Sequence, residues 1–196
     1  MREDFGCLKF NTKEFFPDSR GYFTEVYSTD RFANLEFPPI AQINVSKSAA
    51  NTIRGMHFNT KYPQAKMLRV LQGDIIDVVI DLRLGSPAYG QVELYRLNAA
   101  ESCFLIPAGY AHGFWAQTET ILMYGCSRYY DPENDTGISL LDPQFDFPWR
   151  GIFDKTRYIT SSKDLDWPEF DLAKPVFYYS PNDRFGCETL TKGIVS

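Results

Sequence analysis

KMLRVLQGDIIDVVIDLR, residues 66–83, reads as two strands meeting at a turn. Gly73 stands between KMLRVLQ (66–72) and DIIDVVIDLR (74–83), and a glycine between two apolar, β-branched runs is a hairpin signal. DIIDVVID is almost continuously apolar, as a strand covered on both faces would be. Working outward, similar runs occur at 21–27, 39–47, 51–58, 90–97, 102–106, 112–117 and 119–129, broken by Gly, Pro, Asn and Asp. In VELYRL, Val92, Leu94 and Arg96 alternate with Glu93, Tyr95 and Leu97. About nine short strands at this spacing predict an all-β sandwich or barrel. A jelly roll is the form with eight or more strands in two facing sheets, and it encloses a cavity lined by alternate residues. Helical signals are few: STDRFANL (28–35) predicts about two turns, and Ser161–Asp166 can start a short helix.

The length suits a single domain, 1–196, with a change of character near 160 and a Pro-rich tail from about 165. Hydrophobic residues make up 44%, enough for a core of its own. The net charge is −5 and no Lys/Arg-rich run appears, which argues against nucleic acid as a partner. MREDFGCLKF carries no apolar signal-peptide core and no later stretch is long enough to span a bilayer, so a cytoplasmic protein is expected. Cys7, Cys103, Cys126 and Cys187 form no CxxC pair and no zinc spacing; they read as free, mostly buried thiols.

The chain has only two histidines, His57 in NTIRGMHFNT (51–60) and His112 in IPAGYAHGFW (106–115), both in Gly-punctuated apolar segments. Two readings compete: satisfied core histidines, or titratable rings facing a cavity. PAGYAH (107–112) has the PxGxxH shape of the second cupin motif, but GMHFNTKYPQAK supplies one histidine and no acid where metal-binding cupins supply His-x-His and Glu. Two histidines cannot furnish three nitrogen ligands, so no metal and no other cofactor is expected.

DSRGYFTE (18–25), QIN (42–44), IRGMHF (53–58), QAKMLRVLQGDIIDVVIDLRLGSP (64–87), IPAGYAHGF (106–114), LMYGCSRYYDP (122–132) and SSKD (161–164) occur in this order. Together they resemble the dTDP-4-dehydrorhamnose 3,5-epimerase family, cupin-type nucleotide-sugar epimerases, over about residues 10–165. The resemblance implies a cupin jelly roll, a homodimer, and a nucleoside-diphosphate 4-keto-6-deoxyhexose as substrate. It implies His57 as general base, Asp164 as the carboxylate behind it, Tyr124 as proton donor and Lys66 beside the substrate carbonyl. It implies substrate contacts at Arg20, Glu25, Gln42, Asn44, Arg54, His112, Asp135 and Lys163, with arginines near the diphosphate and Tyr130 stacking on the base. These residue types suit the chemistry: a C–H beside a ketone is weakly acidic, imidazole exchanges protons near neutral pH, and a phenol stays protonated there.

Parity places Tyr124 and Tyr130 on one face, and Ile53, Gly55 and His57 on another. Arg54 then falls on the wrong side, which calls for a bulge at Gly55 or a reach to the pocket rim or a partner subunit. The Asp74, Asp77, Asp81 row reads as mostly structural. Three departures from the family pattern, Ile43–Asn44–Val45–Ser46, Phe58–Asn59 and Trp115–Ala116–Gln117–Thr118, are expected near the sugar or base pocket. Substrate choice therefore stays open among dTDP-, CDP- and GDP-sugars, and the reaction among inversion at C3, C5 or both centres and ketoisomerisation, with the retained Tyr124 favouring epimerisation. A catalytically silent sugar-nucleotide-binding jelly roll is the rival of another class.

Overall fold

The computed structural model of the chain describes residues 6–11, 15–99, 102–154 and 156–189. Its elements run β1 (Leu8–Asn11), β2 (Phe15–Asp18), β3 (Gly21–Thr24), α1 (Thr29–Ala33), β4 (Gln42–Ser48), β5 (Ile53–Asn59), β6 (Lys66–Gln72) and β7 (Asp74–Asp81). They continue with β8 (Arg83–Leu84), β9 (Val92–Asn98), β10 (Ser102–Ile106), β11 (Tyr110–Ala116), β12 (Thr120–Cys126), β13 (Asp135–Gly137), α2 (Ser162–Asp166), β14 (Phe177–Tyr178) and β15 (Glu188–Thr189). Two five-stranded sheets dominate, in the orders β1-β10-β6-β12-β4 and β13-β5-β11-β7-β9. From β4 to β7, and again from β9 to β12, successive strands alternate between the sheets, while β7 and β9 pair side by side in one of them; this is the jelly-roll winding. The 66–83 hairpin expected from Gly73 is the step from one sheet to the other. Gly73 has φ +85°, and a Cβ there would collide with the Glu119 carbonyl, so only glycine fits.

The near-continuous apolar run of β7 follows from its place inside its sheet. One face, with Ile75 and Val79, packs into the roll against Leu68, Val70, Phe104 and Leu122. The other, with Val78 and Ile80, is covered by Ile138, Phe145, Phe147, Trp149, Tyr158, Phe170 and Phe177 from the second half of the chain. Each such fully buried large side chain contributes about 1.5–3 kcal/mol. The first sheet's outer face is closed by Phe32 of α1, Phe37 and Phe185 against Met67, Leu105 and Met123. The described cysteines are free thiols, three of them buried.

Several boundaries differ from the sequence reading. The 39–47 strand begins only at Gln42, since Pro38 and Pro39 cannot donate to a ladder. The 119–129 strand ends at Cys126, and the 21–27 strand ends at Thr24. The expected 74–83 strand is divided into β7 and β8, and the short β1, β2, β13, β14 and β15 had no expected counterpart. No helix among the described residues is long and apolar enough to cross a membrane.

Candidate active site

A hollow of about 170 Å³ opens between the two sheets, lined by Ser46, Arg54, His57, Lys66, His112, Gly113, Phe114, Leu122 and Tyr124. β5 and β11 of one sheet bring Arg54, His57 and His112; β6 and β12 of the other bring Lys66 and Tyr124. His57 and Tyr124 thus stand on opposite walls of one space. His57 and His112 are register partners on adjacent strands.

Arg54 shares the hollow because β5 is bulged. Two steps along β11, from His112 to Phe114, match three along β5, from His57 to Arg54. The extra residue shifts parity and turns Arg54 inward beside His57, while Ile53 and Met56 face the opposite core. Gly55 makes this possible: its φ is +128°, and a Cβ there would lie 2.5 Å from Gly113 Cα. The Arg54 guanidinium then reaches β4, with Nε donating to Ser48 Oγ at 3.1 Å and Nη2 to the Lys47 carbonyl at 3.3 Å.

Each histidine has a carboxylate behind it. His57 Nε2 is 2.7 Å from Asp164 Oδ1. Asp164 is buried on α2, whose N-cap Ser161 accepts its backbone N–H at 3.1 Å. A carboxylate accepts, so Nε2 carries the hydrogen and Nδ1 is left as the proton acceptor. His112 Nε2 lies 2.7 Å from Oδ2 of the fully buried Asp77. Burial pushes the His112 imidazole below its usual range, against the attraction of Asp77. Burial pushes the Asp77 carboxyl up, opposed by His112 and Lys66. Sequence reasoning left Asp77 as structural, yet the signal was present: it shares parity with inward-facing Ile75 and Val79. Burial, aided by Cys126, also raises the Tyr124 phenol above its usual value, against the pull of Arg54. Tyr124 therefore holds its proton at neutral pH.

Gln42, Asn44, Tyr130, Asp135 and Lys163 gather at the mouth. Gln42 Nε2 donates to Asn44 Oδ1 at 2.8 Å, and its Oε1 accepts the Tyr130 backbone N–H at 2.9 Å. Lys163 Nζ pairs with Asp135 Oδ2 at 3.0 Å, and that contact raises the lysine. Tyr130 and Asp135, with Lys66, line a narrow pocket below the mouth. Tyr129 projects outward, 74% exposed. Arg20 and Glu25 lie apart from the hollow. Arg20, on the β2–β3 turn, holds Asp18 at 2.6 Å, and Glu25 pairs with Arg31 at 3.0 Å.

Two of the three departures expected near the pocket point elsewhere. Ile43 and Val45 are exposed on the outer face of β4, and Trp115 packs edge-on against Tyr158 in the opposite core. In both places strand alternation sends these residues outward while Asn44, Ser46 and Phe114 face the inside. In the third departure, Phe58 and Asn59 line the pocket at the mouth. Among the described residues no group of three His, Cys, Asp or Glu side chains could hold a metal ion.

The arrangement suits proton transfer at carbon: an acceptor nitrogen and a protonated phenol flank a small cavity, with an ammonium beside them. Comparison with known proteins identifies the family. Residues 6–171 match the family model for dTDP-4-dehydrorhamnose 3,5-epimerase. A dTDP-4-dehydrorhamnose 3,5-epimerase of Methanothermobacter thermautotrophicus is 41% identical over 79% of this chain and 84% of that one. A dTDP-4-dehydrorhamnose 3-epimerase of Streptomyces niveus is 40% identical over 70% of this chain and 69% of that one. The crystal structure of the Bacillus anthracis 3,5-epimerase with TDP and PPi bound superposes with a TM-score of 0.76, at 36% identity, over 84% of this chain and 94% of that one. The chain belongs to the dTDP-4-dehydrorhamnose 3,5-epimerase family of nucleotide-sugar epimerases.

Proposed function

We propose that this enzyme inverts C3, C5 or both in a dTDP-linked 4-keto-6-deoxyhexose, with His57 as base and Tyr124 as acid. The observation that carries this reading is the placement of imidazole and phenol on facing sheets of one hollow, with Asp164 bound to the imidazole. His57 Nδ1 takes the proton from the carbon beside the ketone, and the electron pair moves onto the carbonyl oxygen as an enolate. The Lys66 ammonium stabilises that oxygen, a contribution of roughly 3 kcal/mol in a dry pocket. Asp164 stabilises the imidazolium as it forms and fixes its tautomer. Tyr124 then delivers a proton from the other face, inverting the carbon. Loss of the His57 proton and reprotonation of the phenolate through solvent restore the enzyme. His112 is a second pocket contact, held by Asp77. Arg54 binds the diphosphate, its planar fork suiting phosphate oxygens. Gln42, Asn44, Asp135 and Lys163 bind the nucleoside end, with Tyr130 stacked on the base. The bound TDP of the Bacillus anthracis relative favours thymidine.

Inversion at a single centre is a second reading, favoured by the Streptomyces niveus relative being a 3-epimerase. We also read the molecule as a cytoplasmic homodimer, on family grounds. The β2–β3 hairpin exposes Phe16, Tyr22 and Phe23, and edge strand β4 exposes Ile43 and Val45, an apolar surface suited to a second copy. Arg20 and Glu25 on and after that hairpin would then serve the partner's hollow.

The test is deuterium wash-in from D2O into dTDP-, CDP- and GDP-linked 4-keto-6-deoxyglucose, read by NMR. Label at C3 and C5 of the dTDP sugar supports double inversion, and label at one carbon the single-centre reading. No label in any sugar, or a His57→Ala variant with full activity, would overturn the proposal.

A further inference from the structure

The proton-transfer scheme makes no use of Trp167, although its ring touches the base. Trp167 ends α2 with φ −58° and ψ 143°, the extended conformation imposed on a residue before proline. Pro168 then offers its carbonyl to Ser139 N–H at 3.1 Å, which ties the helix end to the segment leaving β13. The indole packs on Gly137, where a Cβ would come within 2.5 Å of Nε1 and 2.6 Å of Cδ1. Gly137 is the register partner of His57. The indole therefore sits on the backbone next to the base and meets its imidazole edge-on, with centroids 6.4 Å apart at 72°. Lys163 Nζ stands 5.1 Å from the centre of the same indole.

Asp164 and Trp167 are three residues apart at the end of one helical turn. That turn delivers both the carboxylate that bonds the imidazole and the ring that abuts it. The indole Nε1 is buried and has no hydrogen-bond partner. We propose that Trp167 is a positioning residue for the reaction, holding the His57 imidazole against Asp164 and keeping water off that pair's flank. This rests on the reading of His57 as base. A ring free to swing about its Cβ–Cγ bond would lose Asp164 from Nε2 and turn Nδ1 away from the substrate carbon.

The test pairs two measurements on Trp167→Ala, Trp167→Leu and Trp167→Phe. The first is the low-field proton signal of the His57–Asp164 hydrogen bond in unliganded protein, assigned by its loss in Asp164→Asn. In the Ala and Leu variants its exchange with water is expected to speed up about tenfold or more, as for a bond opened to local fluctuation. The second is steady-state epimerisation. In the same variants kcat is expected to fall about tenfold with KM within about twofold, since misorientation costs the chemical step rather than binding. Trp167→Phe keeps an aromatic edge and drops the orphan donor. It should retain kcat within about threefold and melt no lower than the parent.

Parental kcat and parental proton exchange in a folded Leu or Ala variant would overturn the proposal. So would a lowered melting temperature with neither of those changes. If Trp167→Ala does not fold, the Leu and Phe variants alone decide, since leucine fills space without an aromatic edge. Absence of deuterium wash-in by the parent enzyme would count against His57 as base, whereas the imidazole proton, read without substrate, tests Trp167 separately.

Discussion

Replacing Asp164 by asparagine removes one charge and almost nothing else. The carboxylate is 4% exposed and lies 2.7 Å from His57 Nε2. The bond from its own N–H to Ser161 survives in the amide, and only the long one that Gly55 N–H donates to Oδ2 at 3.4 Å is given up when the amide oxygen keeps the imidazole. Two unit charges about 4 Å apart attract by about 4 kcal/mol at an effective dielectric near 20. That attraction exists only once the imidazole has taken a proton, so it belongs to the transition state and not to the bound substrate. The amide dipole returns part of it, which leaves a loss of about 3 kcal/mol, or roughly 10²-fold in kcat. An amide that donates its N–H to Nε2 would move the hydrogen to Nδ1 and disable the acceptor, deepening the loss toward about 10⁴-fold. The assay is deuterium wash-in from D2O into the 4-keto sugar nucleotide, with KM from initial rates and folding checked by thermal melting. KM is expected to stay within about twofold. A folded Asp164→Asn enzyme with kcat within about threefold of the parent would refute the role given to the carboxylate.

Three further outcomes follow from the same geometry. The imidazole of His112 is depressed by burial below its unfolded value of about 6.5, so its share of stability is present above that pH and lost as pH falls. Melting temperature should therefore drop between pH 7.5 and 5.5, and His112→Gln should flatten that slope; an unchanged slope would contradict it. Gly55→Ala puts a Cβ 2.5 Å from Gly113 Cα at φ +128°, and a cost of about 3 kcal/mol should lower the melting temperature by roughly 6–12 °C. An unshifted melt would contradict the bulge. Arg83, 1% exposed, donates to both oxygens of Asp81 at 2.9 and 2.8 Å and to Tyr110 at 2.6 Å. Arg83→Lys loses that fork inside the core and should cost about 3–5 kcal/mol by chemical denaturation, whereas a loss under about 1 kcal/mol would show the fork to be dispensable.

The fold was legible where local pattern and tertiary burden agree. The apolar run in DIIDVVID, the glycine at 73 and the alternation in VELYRL each reflect a constraint carried by a few adjacent residues. The short β13–β15 pieces were not legible, because two or three residues carry no period and pair only when the barrel offers an edge. In the site, the order of short motifs pointed to His57, Lys66, His112 and Tyr124, which the fold brings to one hollow. Tyr130 reaches the mouth by another route than parity, since the strand ends at Cys126 and a loop carries the ring. Asp77 and Trp167 stayed hidden for opposite reasons. An acid in an apolar strand looks like a satisfied core group, and a tryptophan before proline looks like a helix stop; only register reveals which histidine each one meets.

The most direct measurement is the comparison of isotope exchange with inversion in Tyr124→Phe. With His57 and Tyr124 on opposite walls, removing the phenolic proton should leave deuterium entering the substrate from the His57 side while the configuration at that carbon is retained or inverts far more slowly. Inversion at the parental rate in Tyr124→Phe, or loss of exchange in step with inversion, would contradict two separate groups acting from two faces.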